Sequence, residues 1–194
     1  MFRGLTINTA ELEEAHIYAE NEAAIYQSIV GNGDCVLKYG DVFKMDVLSY
    51  NTVRVNSGLV AVQGHMGIIE INDDQDLIFE NGVSGVNRTD LIVAEFSTTG
   101  NHGIDTFALK VIKGAPGGAT PEITVEDLNK GGTKRQFAIG KVTINGLSIA
   151  RAELIPKPVP SVLELQREIH GKFSSGTKPP EGGQDGDIYI MYEQ

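Results

Sequence analysis

The sequence predicts a mainly β (α+β) fold: an antiparallel β-sandwich or barrel-like domain with an N-terminal helix, followed by a short helix and a terminal strand. Three observations predict it. Between Cys35 and Phe79 short apolar segments recur at nearly regular spacing, each closed by turn residues. From Asn87 to Gly117 two extended apolar runs flank a polar loop, Thr98 to Gly103, of small residues that tolerate positive φ or bond their own backbone. Asn145-Gly146 separates two further apolar runs and suits a type I′ hairpin turn, which needs positive φ at both central residues.

The elements follow in chain order. Between Glu20 and Val30, residues Ala23, Ala24, Ile25, Tyr26, Ile29 and Val30 form a helical apolar stripe, and Gly31 with Gly33 supplies a stop. Strands are expected at Cys35–Tyr39, Val42–Leu48, Thr52–Val55, Leu59–Gln63, Met66–Ile71 and Asp76–Phe79. Their breaks fall at Gly40-Asp41, Tyr50-Asn51, Asn56-Ser57-Gly58, Gly64 and Asn72-Asp73-Asp74. In the run beginning at Asn87, Leu91, Val93 and Glu95 alternate with Ile92, Ala94 and Phe96, which suits a strand covered on both faces; Phe107–Ile112 repeats the pattern. Ala115 to Arg135, rich in Gly, Pro and Thr, reads as a surface excursion able to grip a neighbouring subunit. Strands at Phe137–Ile144 and Leu147–Leu154 close this domain, residues 1–155.

Pro156, Pro158 and Pro160 stiffen the chain and remove donors, so residues 156–160 read as a linker before a segment 161–194. Ser161 and Glu164 form a capping-box pattern, with Gly171 as the stop. Along that helix Val162, Leu165 and Ile169 sit at i, i+3 and i+7, the spacing of a coiled-coil seam or of a face packed on the main domain. In the tail Ile188 and Ile190 alternate with Tyr189 and Met191, a strand that needs a partner edge from its own domain or from another subunit. These five apolar residues, Val162, Leu165, Ile169, Ile188 and Ile190, are the candidate oligomer interface.

Several ordered blocks carry a family resemblance. GVNRTDLIV (Gly85 to Val93) followed by VIKGAPG, AENEAAIYQSIVGNGDCVLKYG (Ala19 to Gly40), and RVNSGLVAVQGHMGII (Arg54 to Ile69) resemble the tail-tip or baseplate-associated structural proteins of phages and prophages of Gram-positive bacteria. The likeness covers most of residues 16 to 155. GTKPPEGGQDGDIYIMY near the C-terminus is similar to a short module of phage fibre and tail proteins. The resemblance implies a short strand at His16 to Tyr18 before the helix, homotrimeric assembly about a tail axis, and a place in a particle; none of its blocks is a catalytic signature.

Composition bounds the rest. The 194 residues, 41% hydrophobic and 22% charged, suffice for a soluble globular core, as one domain with an appendage or as two small domains. A net charge of −10 repels a phosphate backbone, so no nucleic-acid partner is expected. The N-terminus lacks the apolar core of a secretory signal and no segment approaches a membrane span, so synthesis in a host cytoplasm and no membrane insertion are expected. The single cysteine, Cys35, excludes an internal disulfide and reads as a small buried hydrophobe.

Signals for chemistry are weak. His16, His65, His102 and His170 are scattered, with no HExxH pattern; a turn-holding hydrogen bond is expected of His65. Asp73, Asp74 and Asp76 could hold a hard cation through oxygen ligands, but they lack the loop glycine and the terminal glutamate of an EF-hand, and a solvated hairpin tip is the plainer reading. Gly31-Asn32-Gly33 follows a helix and lacks the third glycine of a dinucleotide loop. Arg88 and Asp90 straddle Thr89 and could form an exposed ion pair or brace the strand start; either way they read as architecture. No catalytic residue, metal or cofactor is expected. The function expected is a non-enzymatic virion component of a tail tip or baseplate, contacting other tail proteins and supporting host attachment. A carbohydrate-binding adhesion module recognising host cell-wall glycans is the alternative.

Overall fold

The computed structural model describes residues 1, 3–4, 19–100, 103–178, 181–182 and 187–192. The fold is mainly β, with antiparallel sheets, one of them curled, an N-terminal helix and a later short helix. The chain divides into two compact units, Met1–Val159 and Pro160–Gln194.

In the first unit, one sheet contains β1 (Arg3–Gly4), β2 (Cys35–Leu37), β3 (Met45–Val47), β4 (Thr52–Val62) and β5 (His65–Ile78), in the order β1-β5-β4, with β2 and β3 both paired to β4. The other contains β6 (Asn87–Thr98), β7 (Asp105–Ile112), β8 (Lys134–Asn145) and β9 (Ser148–Leu154), ordered β7-β6-β8-β9. Their inner faces share one core, to which Val53, Val60 and Ile69 contribute from the first sheet and Ile92, Phe96 and Ile139 from the second. Central strand β6 is buried at every residue from Arg88 to Phe96, so both of its faces are covered, as the alternation predicts.

Within the two sheets of this unit, four expected features differ. The expected break at Asn56-Ser57-Gly58 is a register shift inside a continuous β4, and the expected tip at Asn72-Asp73-Asp74 falls within β5, where Asn72 has φ 67°. Between the pairs Asn56↔Asp74 and Gly58↔Ile69, Ser57 faces the longer stretch Glu70–Asp73, so turn-forming residues make a bulge and the ladder resumes beyond it. The strand expected at Val42–Leu48 shrinks to β3, because Val42 (φ 56°) and Phe43 (φ 54°) are left-handed and turn the fully buried Phe43 ring over Gly58. At Asn145-Gly146 only Gly146 has positive φ (60°); Asn145 pairs with Ser148, so Gly146 takes the first central position of a II′-type turn. Positive φ at both central residues occurs instead at Gln63 (42°) and Gly64 (83°), which join Val62 to His65.

Helix α1 (Ala19–Val30) matches its expected span, but its buried residues are Ala19 and Ala23, while Ile25 and Ile29 are exposed. Close approach explains the choice: a Cβ on Gly64 would overlap the Ala23 carbonyl, so small side chains are needed where α1 meets the β4–β5 turn. Gly31 (φ 93°) closes the helix with its N–H on the Gln27 carbonyl, 2.9 Å. The expected strand at His16 to Tyr18 lies outside the described residues.

The Pro-rich segment is anchored rather than free up to Val159. Ile155 N–H donates to the Ile139 carbonyl (2.9 Å), and Val159 N–H donates to the Val36 carbonyl (2.8 Å), forming a parallel bridge with Leu37 on β2.

In the second unit α2 (Val162–Lys172) opens on the expected capping box. Ser161 N–H donates to Glu164 Oε2 (2.8 Å) and Glu164 N–H donates to Ser161 Oγ (3.2 Å). Gly171 does not stop it: the helix runs on to Lys172, directly into β10 (Phe173–Gly176), which pairs in parallel with β11 (Ile188–Met191).

Candidate assembly surface

The predicted interface residues lie on two elements of the second unit. Val162, Leu165 and Ile169 are on α2, at 64%, 41% and 55% exposure, and Ile188 and Ile190 are on β11, both about half exposed. Leu163, Met191 and Tyr192, which the seam spacing passed over, are equally open. None of the residues from Pro160 onward whose burial is described, 160–169, 174–178, 181–182 and 187–192, is buried. A unit of this size is below the length at which apolar burial alone sustains a fold.

The first unit closes its polar groups internally. Gln63, held left-handed at the β4–β5 turn, accepts Leu128 N–H at Oε1 (2.8 Å) and donates from Nε2 to Asp127 Oδ1 (3.0 Å), while its carbonyl accepts Gln27 Nε2 (2.7 Å). Its own N–H donates to Asp34 Oδ1 (3.2 Å), and Asp34 is paired with Arg135 Nε (2.9 Å). The hydrogen bonds from Gln63 and Lys130 hold the Asp127 carboxyl below the ordinary aspartate range. This network binds the excursion to its own hairpin. Pairings Gln136 N–H to Thr124 O (2.7 Å) and Glu126 N–H to Lys134 O (3.2 Å) complete the attachment, so those parts of it do not await a neighbour. In sequence only Gly64 was marked, as a break between strands; of the partners of Gln63, Asp127 and Leu128 lie 64 and 65 positions on and Gln27 lies 36 positions back.

Arg88 and Asp90 correct the reading of an exposed pair. Both are buried, and Arg88 Nε and Nη2 donate to the two Asp90 carboxylate oxygens at 2.8 and 3.0 Å. Glu95, also buried, accepts from Lys110 Nζ (2.6 Å), Gln136 Nε2 (2.5 Å) and Lys134 Nζ (3.2 Å). Burial opposes its charge, yet the hydrogen bonds from Lys110, Gln136 and Lys134 outweigh that and hold its carboxyl below the ordinary glutamate range.

The other sequence candidates resolve into structure. His65 is buried and stacks on Phe96, ring centroids 3.8 Å apart, so ring packing accompanies its place after the turn. His16 and His102 lie outside the described residues, and His170 lies in α2. The acidic run is tied down: Asp76 accepts Arg54 Nε and Nη2 at 2.8 and 3.0 Å, and Asp73 accepts the Met1 amine and Asp74 N–H. It is therefore part of β5 and not a hairpin tip. Among the described residues no group of three or more His, Cys, Asp and Glu side chains is arranged to hold a metal. Cys35 is half-buried on β2, and burial, with Asp34 beside it, pushes its thiol pKa up, away from a reactive thiolate. No described helix is long and apolar enough to cross a membrane.

A groove of about 640 Å³ opens between the Lys38–Met45 turn and Ala152–Leu154, with Tyr39, Lys38, Asp41, Lys44 and Glu153 among its lining residues. Compared with known proteins, the chain matches no family model and no curated protein.

Proposed function

We propose that this chain is a non-enzymatic structural component of a phage or prophage tail tip or baseplate, which assembles as a homotrimer and supports host attachment within the virion. One observation carries the self-assembly part: the unit from Pro160 buries none of the residues whose burial is described, and it displays Val162, Leu165, Ile169, Ile188 and Ile190 to solvent. Burial of such side chains against copies of themselves adds the apolar burial that a unit of this size is too short to supply alone. The particle and its threefold symmetry rest on the sequence resemblance, since a tail axis favours closed rotational assembly.

The test is solution mass by light scattering, at two concentrations, for the full chain and for a chain ending at Val159, which keeps the bond to Val36. A trimer lost on truncation supports the reading. A trimer kept moves the interface to the first unit, and a monomeric full chain removes the structural role.

The groove beside Tyr39 favours a second reading, a carbohydrate-binding module acting at the bacterial surface. The charged groups of Lys38, Asp41, Lys44 and Glu153 around one tyrosine ring suit a sugar, which offers hydroxyls at its rim and a C–H face to an aromatic. Glycan-array binding lost on Tyr39→Ala supports it; binding unchanged by that substitution removes the groove from it.

A further inference from the structure

Resting on the self-assembly reading above, we propose that the copies join by strand addition, the outer edge of β10 in one copy pairing with the outer edge of β11 in the next. Four observations lead there. In the two-stranded sheet β10-β11 each strand has one neighbour among the described residues, so each presents one open edge. Tyr192 N–H donates to the Gly176 carbonyl (3.2 Å), which fixes the inward-pointing residues. Alternation then aims the backbone groups of Tyr189 and Met191 outward on β11, and those of Phe173 and Ser175 outward on β10. Four-residue parallel strands, with Ser174, Ser175, Ile188, Ile190 and Met191 exposed, are not stable as a pair, because parallel sheets persist when extended and covered.

The edges are also unguarded. Neither Phe173–Gly176 nor Ile188–Met191 contains a charged residue or a proline, the usual means of blunting an edge. The first unit shows the contrast: along the outer edge of β2, Val159 gives its N–H to Val36 while Pro158 and Pro160 flank it, so the residues whose N–H would face outward have none. A second copy is the occupant because it brings the complementary edge. It also brings its α2, which meets β10 with no intervening residue, so pairing at β10 continues the apolar surface of Leu165 and Ile169.

The two edges are different surfaces, so the contact is head-to-tail and closes into a ring or propagates. A trimer is the ring that the proposed function calls for. The experiment is light scattering on the full chain with Met191→Pro, which removes an outward donor of β11, and Ser175→Pro, which removes one of β10. Each variant alone is expected to lose the assembled species, with at least a tenfold weaker association. Mixed in equal amounts they are expected to form a dimer, since one intact edge of each kind remains. Two monomers that do not combine on mixing overturn the proposal, as does either variant keeping the wild-type mass. If the proline variants assemble while Leu165→Asp with Ile169→Asp does not, the helix alone joins the copies and self-assembly stands without strand addition. A monomeric wild type removes both.

Discussion

Arg88 and Asp90, two positions apart on one face of β6, form a buried bidentate ion pair that fastens three chain segments. Arg88 Nη2 also donates to the Glu80 carbonyl (2.6 Å), and Asp90 Oδ1 accepts Gly114 N–H (2.9 Å). The segment after β5 and the one after β7 are thus both tied to the start of the central strand. Removing one partner strands a buried charge, whereas removing both does not. Asp90→Ala is expected to lower the unfolding free energy by about 3–5 kcal/mol, and Arg88→Met with Asp90→Leu to cost less than that single change. Urea unfolding of the set checks it; a double variant less stable than Asp90→Ala refutes the account.

Phe43 and Gly58 form a matched pair in the first sheet. A Cβ on Gly58 would stand 2.5 Å from Phe43 Cγ, inside the contact distance of carbon atoms. Gly58→Ala is expected to destabilise by about 1–3 kcal/mol through overpacking. Because the two residues touch, Phe43→Leu with Gly58→Ala should deviate from the sum of the single changes. Additive thermal-melt energies would mean that the ring does not set the requirement for glycine.

Glu95 predicts a response to acid. Its folded carboxyl lies below the ordinary glutamate value, about 4.3 in the unfolded chain, so its contribution is present above that pH and lost as pH falls through the lowered folded value. Glu95→Gln is expected to be less stable at pH 7 and to show a shallower loss of stability below about pH 4.5. Chemical denaturation from pH 7 down to pH 3 makes the comparison, and parallel curves for the two proteins would dismiss Glu95 as a source of acid sensitivity.

Assembly should strengthen with salt. Each copy carries −10, so approach is opposed by repulsion that a Debye length of about 10 Å at 0.1 M begins to screen, while apolar contact at Leu165 and Ile169 is not weakened. Sedimentation equilibrium at low and high sodium chloride is expected to show tighter association at high salt, and none at either for Leu165→Asp with Ile169→Asp. Weaker association at high salt would point to an ionic interface.

Much of the first unit was legible in the sequence. Alternation along Leu91 to Phe96 identified the central strand and its two covered faces, and the Ser161–Glu164 pattern located the start of α2, since both depend on neighbours a few residues apart. The candidate surface was legible as spacing alone: Val162, Leu165 and Ile169 marked a stripe, but sequence did not separate a face packed inward from one left in solvent. The stripe on α1 shows the same limit, because Ala23 and not Ile25 meets the sheet.

What the sequence by itself determined was the alternation, the caps, the turn-forming residues and the charge, all properties of adjacent side chains and backbone preferences. Tertiary structure alone decided that Asn72 bends a strand without ending it, that Gln63 takes the left-handed turn, and that Arg88 and Asp90 are buried. Each of those outcomes depends on partners brought close by folding: the β4 ladder across from Asn72, Asp127 and Leu128 beside Gln63, and the Glu80 and Gly114 segments over the ion pair.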